Sequence, residues 1–348
     1  MIVIDGVYIN RSGGKILLEY FIKTFHKRGK SISDFFFLLD NRFHSDCLDL
    51  LAPNNYIKIG NTEKERSTFY KKNVDSISKV FCFANIPPPI YFEHIPVFIL
   101  FHNVLILSTD KGNYGFKERF LFFLKRYYIK YRNHKNYQWI VQTAQVKILL
   151  HNRLNIDFES IKIFPFFDDT FFRTEAKTIT ENREGKFVYV AEGVSQKNHL
   201  LLLESWEVLA KKYGYYPELN LTVSDDFIEI IIKINSLIEK GIEIKNHGFC
   251  SLKKVNNLYN SSQFLVFPSL RESFGLPLVE AAYCGCEIIA ADLPYVYEVV
   301  KPTATFNPYD SENMAYIFSR VLSTDFINQK TEVLVKDSIN EIVDLILN

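Results

Sequence analysis

Sulfur and tryptophan are scarce in this chain, which has five cysteines, two methionines and two tryptophans in 348 residues. The cysteines (Cys47, Cys82, Cys250, Cys284 and Cys286) are odd in number and sit in apolar runs, so no disulfide framework or metal-ligand spacing is visible. Cys284 and Cys286 lie one residue apart, not at the two-residue gap of zinc and redox motifs, and read as buried thiols. Excess charge of either sign is also missing. Forty-one basic residues face 40 acidic ones for a net charge of +1, which excludes the strongly basic footprint of a nucleic-acid-binding domain. No apolar run reaches the roughly 18–20 residues that span a bilayer, and no leader-like segment precedes the strand-like opening Ile2–Ile4. The expected compartment is a reducing cytosol, with any membrane association peripheral.

What the chain has is apolar mass, at 47% of residues, and enough length for two domains of about 100–200 residues each. Short Val/Ile/Phe-rich runs alternate with longer amphipathic stretches. Strands are expected at 1–9, 35–40, 56–60, 79–85, 96–103, 138–144 and 161–166, then at 186–192, 218–224, 242–249, 264–269, 287–291 and 303–307. Helices are expected at 14–28, 63–78 and 115–132, and again at 198–212, 226–239, 251–260, 275–285 and 310–322. Continuously apolar strands separated by helices predict parallel sheets covered on both faces. Residues 173–186 are polar and aperiodic and read as a linker between domains at 1–172 and 187–325. A final helix is expected at about 327–347, in the segment 326–348 that follows the second domain and is free to pack back toward the first. Doubly wound domains take ligands at the carboxyl ends of their strands, which directs attention to an interdomain cleft.

The most informative stretch is 264–300, FLVFPSLRESFGLPLVEAAYCGCEIIAADLPYVYEVV. A buried strand runs into Pro268–Ser269, a loop carries Arg271, Glu272 and Ser273, and Phe274, Gly275, Leu276 and Pro277 open a helix that contains Glu280. A helix start presents free N–H groups and a positive dipole end, which suits a phosphate. Gly275 permits close backbone approach, and Pro277 suits a first turn. An ordinary strand–helix unit with two surface glutamates is the plain alternative.

This stretch resembles the E-x7-E signature of the glycosyltransferases group 1 family, whose members are retaining enzymes of the GT-B fold, an α/β architecture of two Rossmann-like doubly wound parallel-sheet domains. By that resemblance Glu272 faces the donor sugar hydroxyls and Glu280 accepts from the ribose. The amides of Phe274, Gly275 and Leu276 hold the diphosphate beside Ser273, where the family more often has Gly. The loop Glu192–His199 after the strand at 186–192 matches the family's lysine step at Lys197–Asn198. A cation there neutralises charge on the leaving diphosphate. Glu192 departs from the family, which often places Arg at that point. His247, Gly248 and Phe249 resemble a loop that contacts the donor base, although His247 reads equally as structural. Gly13 and Gly14 after the first strand resemble a flexible loop near the phosphate and acceptor. His102, ending the 96–103 strand, resembles a residue that contacts the transferred sugar, with Glu272 and Lys197 as its catalytic companions.

The resemblance implies a nucleotide-diphosphate sugar as donor and a glycan or lipid-linked saccharide as acceptor, with no cofactor and no metal. The setting it implies is bacterial surface-polysaccharide synthesis (O-antigen, lipopolysaccharide or capsule). A nucleotide-sugar epimerase and a non-catalytic partner subunit of the same fold remain as alternatives. One segment stands apart from the neutral average: 114–135 holds seven Lys or Arg against the single acid Glu118. Phe116, Phe120, Phe123, Tyr127 and Tyr131 recur there at helical spacing. Lys117, Arg119, Lys125, Arg126 and Lys130 then become candidates for an anionic membrane face. The same pattern also fits a domain helix with its apolar face in the core and its basic face in water.

Overall fold

The computed structural model describes residues 1–28, 35–108, 115–168, 170–175, 183–323 and 330–347. The chain divides into two compact units, Met1–Asp168 with Lys336–Asn348, and Asp169–Val335.

The first unit is built on β1 (Ile2–Gly6), β2 (Phe35–Asp40), β3 (Tyr56–Ile59), β4 (Lys79–Cys82), β5 (Val97–Leu100), β6 (Tyr137–Val141) and β7 (Ile161–Ile163). They form one parallel sheet in the order β3-β2-β1-β4-β5-β6-β7. All residues of β4 and β5 are buried, as expected of central strands covered on both faces. Helices α1 (Ser12–Lys27), α2 (Glu63–Asn73), α3 (Phe116–Arg132) and α4 (Ala144–Leu154) lie between the strands. On α1, Leu17, Leu18, Phe21, Ile22 and Phe25 are buried, the spacing of a helix with one face on a sheet.

The second unit repeats the plan with α5 (Thr170–Glu175), β8 (Phe187–Tyr189), α6 (His199–Tyr213), β9 (Leu219–Leu221), α7 (Ile228–Glu239), β10 (Ile244–Asn246), α8 (Leu252–Asn260), β11 (Phe264–Phe267), α9 (Leu276–Tyr283), β12 (Glu287–Ala291), α10 (Pro294–Val299), β13 (Val300–Lys301), β14 (Ala304–Phe306), α11 (Ser311–Leu322) and β15 (Glu332–Val333). Its parallel sheet runs β10-β9-β8-β11-β12-β14. In both units strand order reverses beside the first strand, giving a switch point between β1 and β4 and another between β8 and β11.

The chain ends in α12 (Ile339–Leu347), part of the first unit. Ile339, Ile342, Val343 and Ile346 are buried, and Arg28 meets Asp344 at 2.5 Å. The Asp337 carboxylate accepts from the Tyr20 hydroxyl at 2.6 Å and from the Phe167 amide at 3.2 Å.

Three expectations need correction. The helix expected from about residue 327 starts at Ile339, because Glu332–Val333 pair antiparallel with β13; residues 324–329 lie outside the described set. The stretch expected as linker opens inside α5, where the Arg173 guanidinium sits 4.0 Å over the Tyr283 ring; 176–182 lie outside the described residues. Helix α4 has no counterpart among the expected helices. It is capped by Thr143, whose hydroxyl accepts from Val146, and ends at Asn155 in the left-handed conformation.

Candidate functional site

The second unit's switch point is where its sequence motifs converge. After β8 the chain makes a tight turn over Ser195–Lys197 and enters α6 through Asn198 in the left-handed region, φ 62°. Asn tolerates that conformation better than most residues. Its side-chain amide donates to the carbonyls of Pro308 (2.7 Å) and Pro268 (3.3 Å), so it braces three loops. The Lys197 carbonyl is held by the Tyr189 hydroxyl at 2.8 Å.

The loop after β11 is fastened to that turn. Leu270 donates its amide to the Gln196 carbonyl at 2.8 Å, and the Tyr295 hydroxyl donates to the Ser269 carbonyl at 2.5 Å. The hydroxyl of Ser269, fully buried, lies 2.6 Å from Glu272 Oε1. The same carboxylate oxygen accepts from Lys197 Nζ at 2.5 Å, across 75 residues of sequence. Lys197 and Glu272 thus meet at the carboxyl ends of adjacent strands, both side chains mostly covered, at 20% and 14% exposure.

Helix α9 begins just beyond. Gly275 caps it at φ 88°, and a Cβ there would also stand 3.1 Å from Leu278 Cδ1, so both conformation and space call for glycine. Pro277 lies in the first turn, as expected. Ser273, Phe274 and Leu276 precede or open this turn. Glu280, one turn further, accepts from the Tyr259 hydroxyl at 3.2 Å. Desolvation pushes its carboxyl up to about 7, against the smaller opposing effect of that hydrogen bond. A carboxylate held partly protonated at neutral pH is unfavourable for folding alone, which is characteristic of a functional site.

On the other side, Gly193 is buried against Phe227; a Cβ would fall 2.4 Å from the ring's Cγ. Glu192 beside it is exposed. His247 Nε2 lies 2.8 Å from Asn220 Oδ1, and desolvation lowers its pKa, so it braces β10 against β9. Gly248 turns at φ 62° and leaves Phe249 92% exposed, a ring with no packing of its own.

In the first unit, His102, Asn85 and Gly14 come together beyond the ends of β5, β4 and β1. The His102 amide donates to Asn85 Oδ1 at 2.7 Å, and Asn85 Nδ2 lies 3.3 Å from His102 Nε2. That pairing makes Nε2 the acceptor of a neutral ring, and burial holds the pKa down at about 4. A Cβ at Gly14 would stand 3.2 Å from Nε2, so the glycine lets the ring approach the helix. Gly13 and Gly14 lie within α1, which starts at Ser12; the expected loop is a helical first turn. Nearby, Tyr8 sits at φ 81°, a conformation that costs a non-glycine residue about 1–3 kcal/mol, and is fixed by Glu63 at 2.7 Å. Buried Asp5 accepts from Arg66 and Tyr70, each at 2.8 Å.

Sequence reasoning did not single out Ser269, Tyr295, Tyr259 or Phe227. The first stands in the Pro-Ser step that was read, whereas the others had no local signal.

The Glycosyl transferases group 1 family model matches residues 171–336, just under half of the chain. The second unit is a group 1 glycosyltransferase domain. Similar proteins include the capsular polysaccharide biosynthesis glycosyltransferase CapH of Staphylococcus aureus, 28% identical over half of this chain and 51% of CapH. The serotype-specific mannosyltransferase WbdA of Escherichia coli is 34% identical over 22% of this chain and 10% of its own length. The matches therefore span about half of CapH and a tenth of WbdA. Among solved structures, Anabaena HepE in complex with UDP and glucose superposes with a TM-score of 0.66 at 13% identity, covering 93% of this chain and 90% of HepE. The lipopolysaccharide outer core galactosyltransferase WaaB gives 0.64 at 17%, covering 94% and 91%. Two parallel Rossmann-like units with these neighbours are the GT-B fold, and the group 1 domain contains both the Lys197–Glu272 pair and Glu280.

Helix α3 departs from the plain reading of its pattern. Phe120, Phe123, Tyr127 and Tyr131 are 53%, 55%, 63% and 70% exposed, and Ile129 is its buried anchor; the side chain of Phe116 lies outside the described set. Lys117, Arg119 and Lys130 are exposed. Lys125 is half-buried, and desolvation lowers its pKa. Arg126 turns inward, donating to the carbonyls of Ile106 (2.8 Å) and Ser108 (3.0 Å), so it is not one of the outward-facing cations.

Proposed function

We propose that this protein transfers a sugar, with retention of configuration, from a nucleoside-diphosphate sugar to a lipid-linked glycan acceptor in bacterial surface-polysaccharide synthesis. The observation that carries this reading is the Lys197–Glu272 pair, fastened at the switch point of the group 1 domain beside the start of α9. The names of CapH and WbdA, and the UDP and glucose bound to HepE, support a sugar donor and a polysaccharide product.

In this reading the diphosphate lies against the first turn of α9, whose N–H groups and dipole favour an anion. Lys197, paired with Glu272 in this structure, turns to the leaving diphosphate and stabilises the charge that builds there. Glu272 then accepts from sugar hydroxyls, Glu280 accepts from the ribose, and exposed Phe249 offers its face to the base. His102, neutral and held by Asn85, contacts the transferred sugar. The acceptor hydroxyl attacks on the side from which the diphosphate departs and gives its proton to a phosphate oxygen. The protein contributes positioning and electrostatics rather than a covalent intermediate, and neither metal nor cofactor takes part. The site works in the cytosol.

The test is a thermal-shift panel of UDP, GDP, CMP and ADP on wild type, Lys197→Met and Glu272→Gln. One nucleotide at about 100 times its Kd stabilises wild type by about 2.7 kcal/mol and gives a clearly smaller shift with Lys197→Met. Equal shifts in all three proteins, or none in wild type, overturn the donor site. Conversion of a free nucleotide sugar without acceptor would instead indicate an epimerase.

A further inference from the structure

We propose that α3 is an interfacial helix that seats the first unit on an anionic lipid bilayer. This inference rests on the lipid-linked acceptor of the proposed function and adds the surface on which that acceptor is met.

An ordinary domain helix turns its apolar stripe to the core and its charges to water. Helix α3 leaves its aromatic stripe exposed as well as its charges. At about 100° per residue, Phe123, Tyr127, Phe120, Tyr131 and Leu124 fall within one arc of about 100°. Each of these five is exposed, Leu124 at 44% and the others more. Across the axis Ile129 is fully buried, and on the flanks between it and the arc Arg126 is bonded to the Ile106 and Ser108 carbonyls and the Tyr128 hydroxyl donates to Glu63 Oε2 at 2.8 Å. The inward side is therefore held by a few specific contacts, leaving the apolar arc exposed, with the Arg132 guanidinium 5.6 Å over the Tyr131 ring at its end. Large exposed apolar patches of this kind mark interaction sites.

The flanking charge selects the occupant. Arg119 and Lys130 border one side of the arc and Lys117 the other, and all are exposed. Glu118 is engaged at the helix start, where its carboxylate accepts from the Gly115 amide at 3.1 Å. An aromatic face rimmed by cations matches acyl chains beneath anionic headgroups, with Tyr127 and Tyr131 suited to the boundary between them. Groove-bound protein partners would need anionic groups all round an otherwise apolar strip; an anionic bilayer presents that arrangement at any orientation.

The experiment is vesicle flotation of the full chain with equimolar phosphatidylcholine and phosphatidylglycerol, against phosphatidylcholine alone. The proteins are wild type, Phe120→Ser/Phe123→Ser/Tyr127→Ser, and Lys117→Gln/Arg119→Gln/Lys130→Gln. All substituted side chains are exposed, and an unchanged unfolding midpoint checks the fold. Wild type is expected to float with the anionic vesicles. The charge variant should partition about a hundredfold more weakly, from three contributions of about fivefold each, and the aromatic variant should be lost from the lipid fraction. Wild type staying with the soluble fraction at low salt, or both variants floating like wild type, overturns the proposal. A dimer in sedimentation that the aromatic variant abolishes overturns it as well, assigning the face to a second copy. Nucleotide thermal shifts on the same preparations separate the two readings, since donor binding does not depend on α3. Flotation without any nucleotide response would remove the proposed function and leave the docking face standing.

Discussion

Replacing Glu280 with Gln gives the most direct test of the donor site, because it predicts opposite effects on stability and on binding. The carboxyl has an ordinary value of 4.5 and is raised to about 7 in the folded protein, chiefly by desolvation. That difference corresponds to about 3 kcal/mol between protonation states. Since the folded value is the higher, folding takes up a proton in this window, and wild-type stability falls as pH rises from 4.5 to about 7 and then levels off. Gln is isosteric, does not titrate, and can still accept from the Tyr259 hydroxyl. Below pH 4.5 the variant should match wild type. Above pH 7 it should be more stable by up to about 3 kcal/mol, or about 6–12 °C for a unit of this size.

The two tryptophans allow the measurement to be confined to the relevant unit. Trp139 lies in the first and Trp206 in the second, both fully buried, so a Trp139→Phe background leaves Trp206 fluorescence to report the group 1 domain. Denaturant midpoints are followed from pH 4.5 to 8.5, with nucleotide added at the upper end. The expected result is a stability gain that opens through the window, with nucleotide affinity weakened about tenfold or more as a charged acceptor is lost. Parallel pH curves for the two proteins would refute the desolvated-carboxyl argument. A stabilised variant with intact nucleotide binding would refute the ribose role alone.

Two further substitutions test how the site is held. Gly193→Ala drives a Cβ to 2.4 Å from the Phe227 ring and should cost about 1–3 kcal/mol, most of it recovered in Gly193→Ala/Phe227→Leu; no recovery would mean that another contact sets the glycine. Arg66→Met strands Asp5, 1% exposed, and should destabilise the first unit by about 3–5 kcal/mol, read from Trp139 in a Trp206→Phe background. A loss under about 1 kcal/mol would show that Tyr70 and the Val7 amide suffice for that carboxylate.

Much of the fold was legible because parallel sheets are written in continuous apolar runs. Every strand expected for the two large sheets has its counterpart, from Ile2–Gly6 to Ala304–Phe306. Apart from helices α4 and α10, which have no counterpart among the expected helices, what escaped was set by tertiary contact. Val300–Lys301 and Glu332–Val333 form a ladder only because they meet each other, and a periodicity reading of 327–347 extends the helix through the second of them. On α3 the period was readable but its direction was not: a stripe of Phe and Tyr looks the same whether it faces a core or water. In the site, Lys197 and Glu272 were each legible as motif residues, while their contact, and the Ser269 and Tyr295 bonds beneath it, depend on which strands lie side by side.

The same physical device positions the chemistry in both units. Two loops leaving the carboxyl ends of adjacent parallel strands are not held together by the sheet itself, so nothing in the ladder fixes their separation. In the first unit Asn85, at φ 69° beyond β4, accepts the His102 amide beyond β5. In the second, Asn198, at φ 62° beyond β8, donates to the Pro268 carbonyl beyond β11. Each asparagine accepts a left-handed backbone and uses its short amide to tie its loop to the neighbouring one, satisfying backbone groups that the ends of the strands leave open. His102 and Lys197 are thereby fixed by the backbone on which they stand. For that reason Asn198→Ala would be expected to act on the position of Lys197 rather than on any ligand contact of its own.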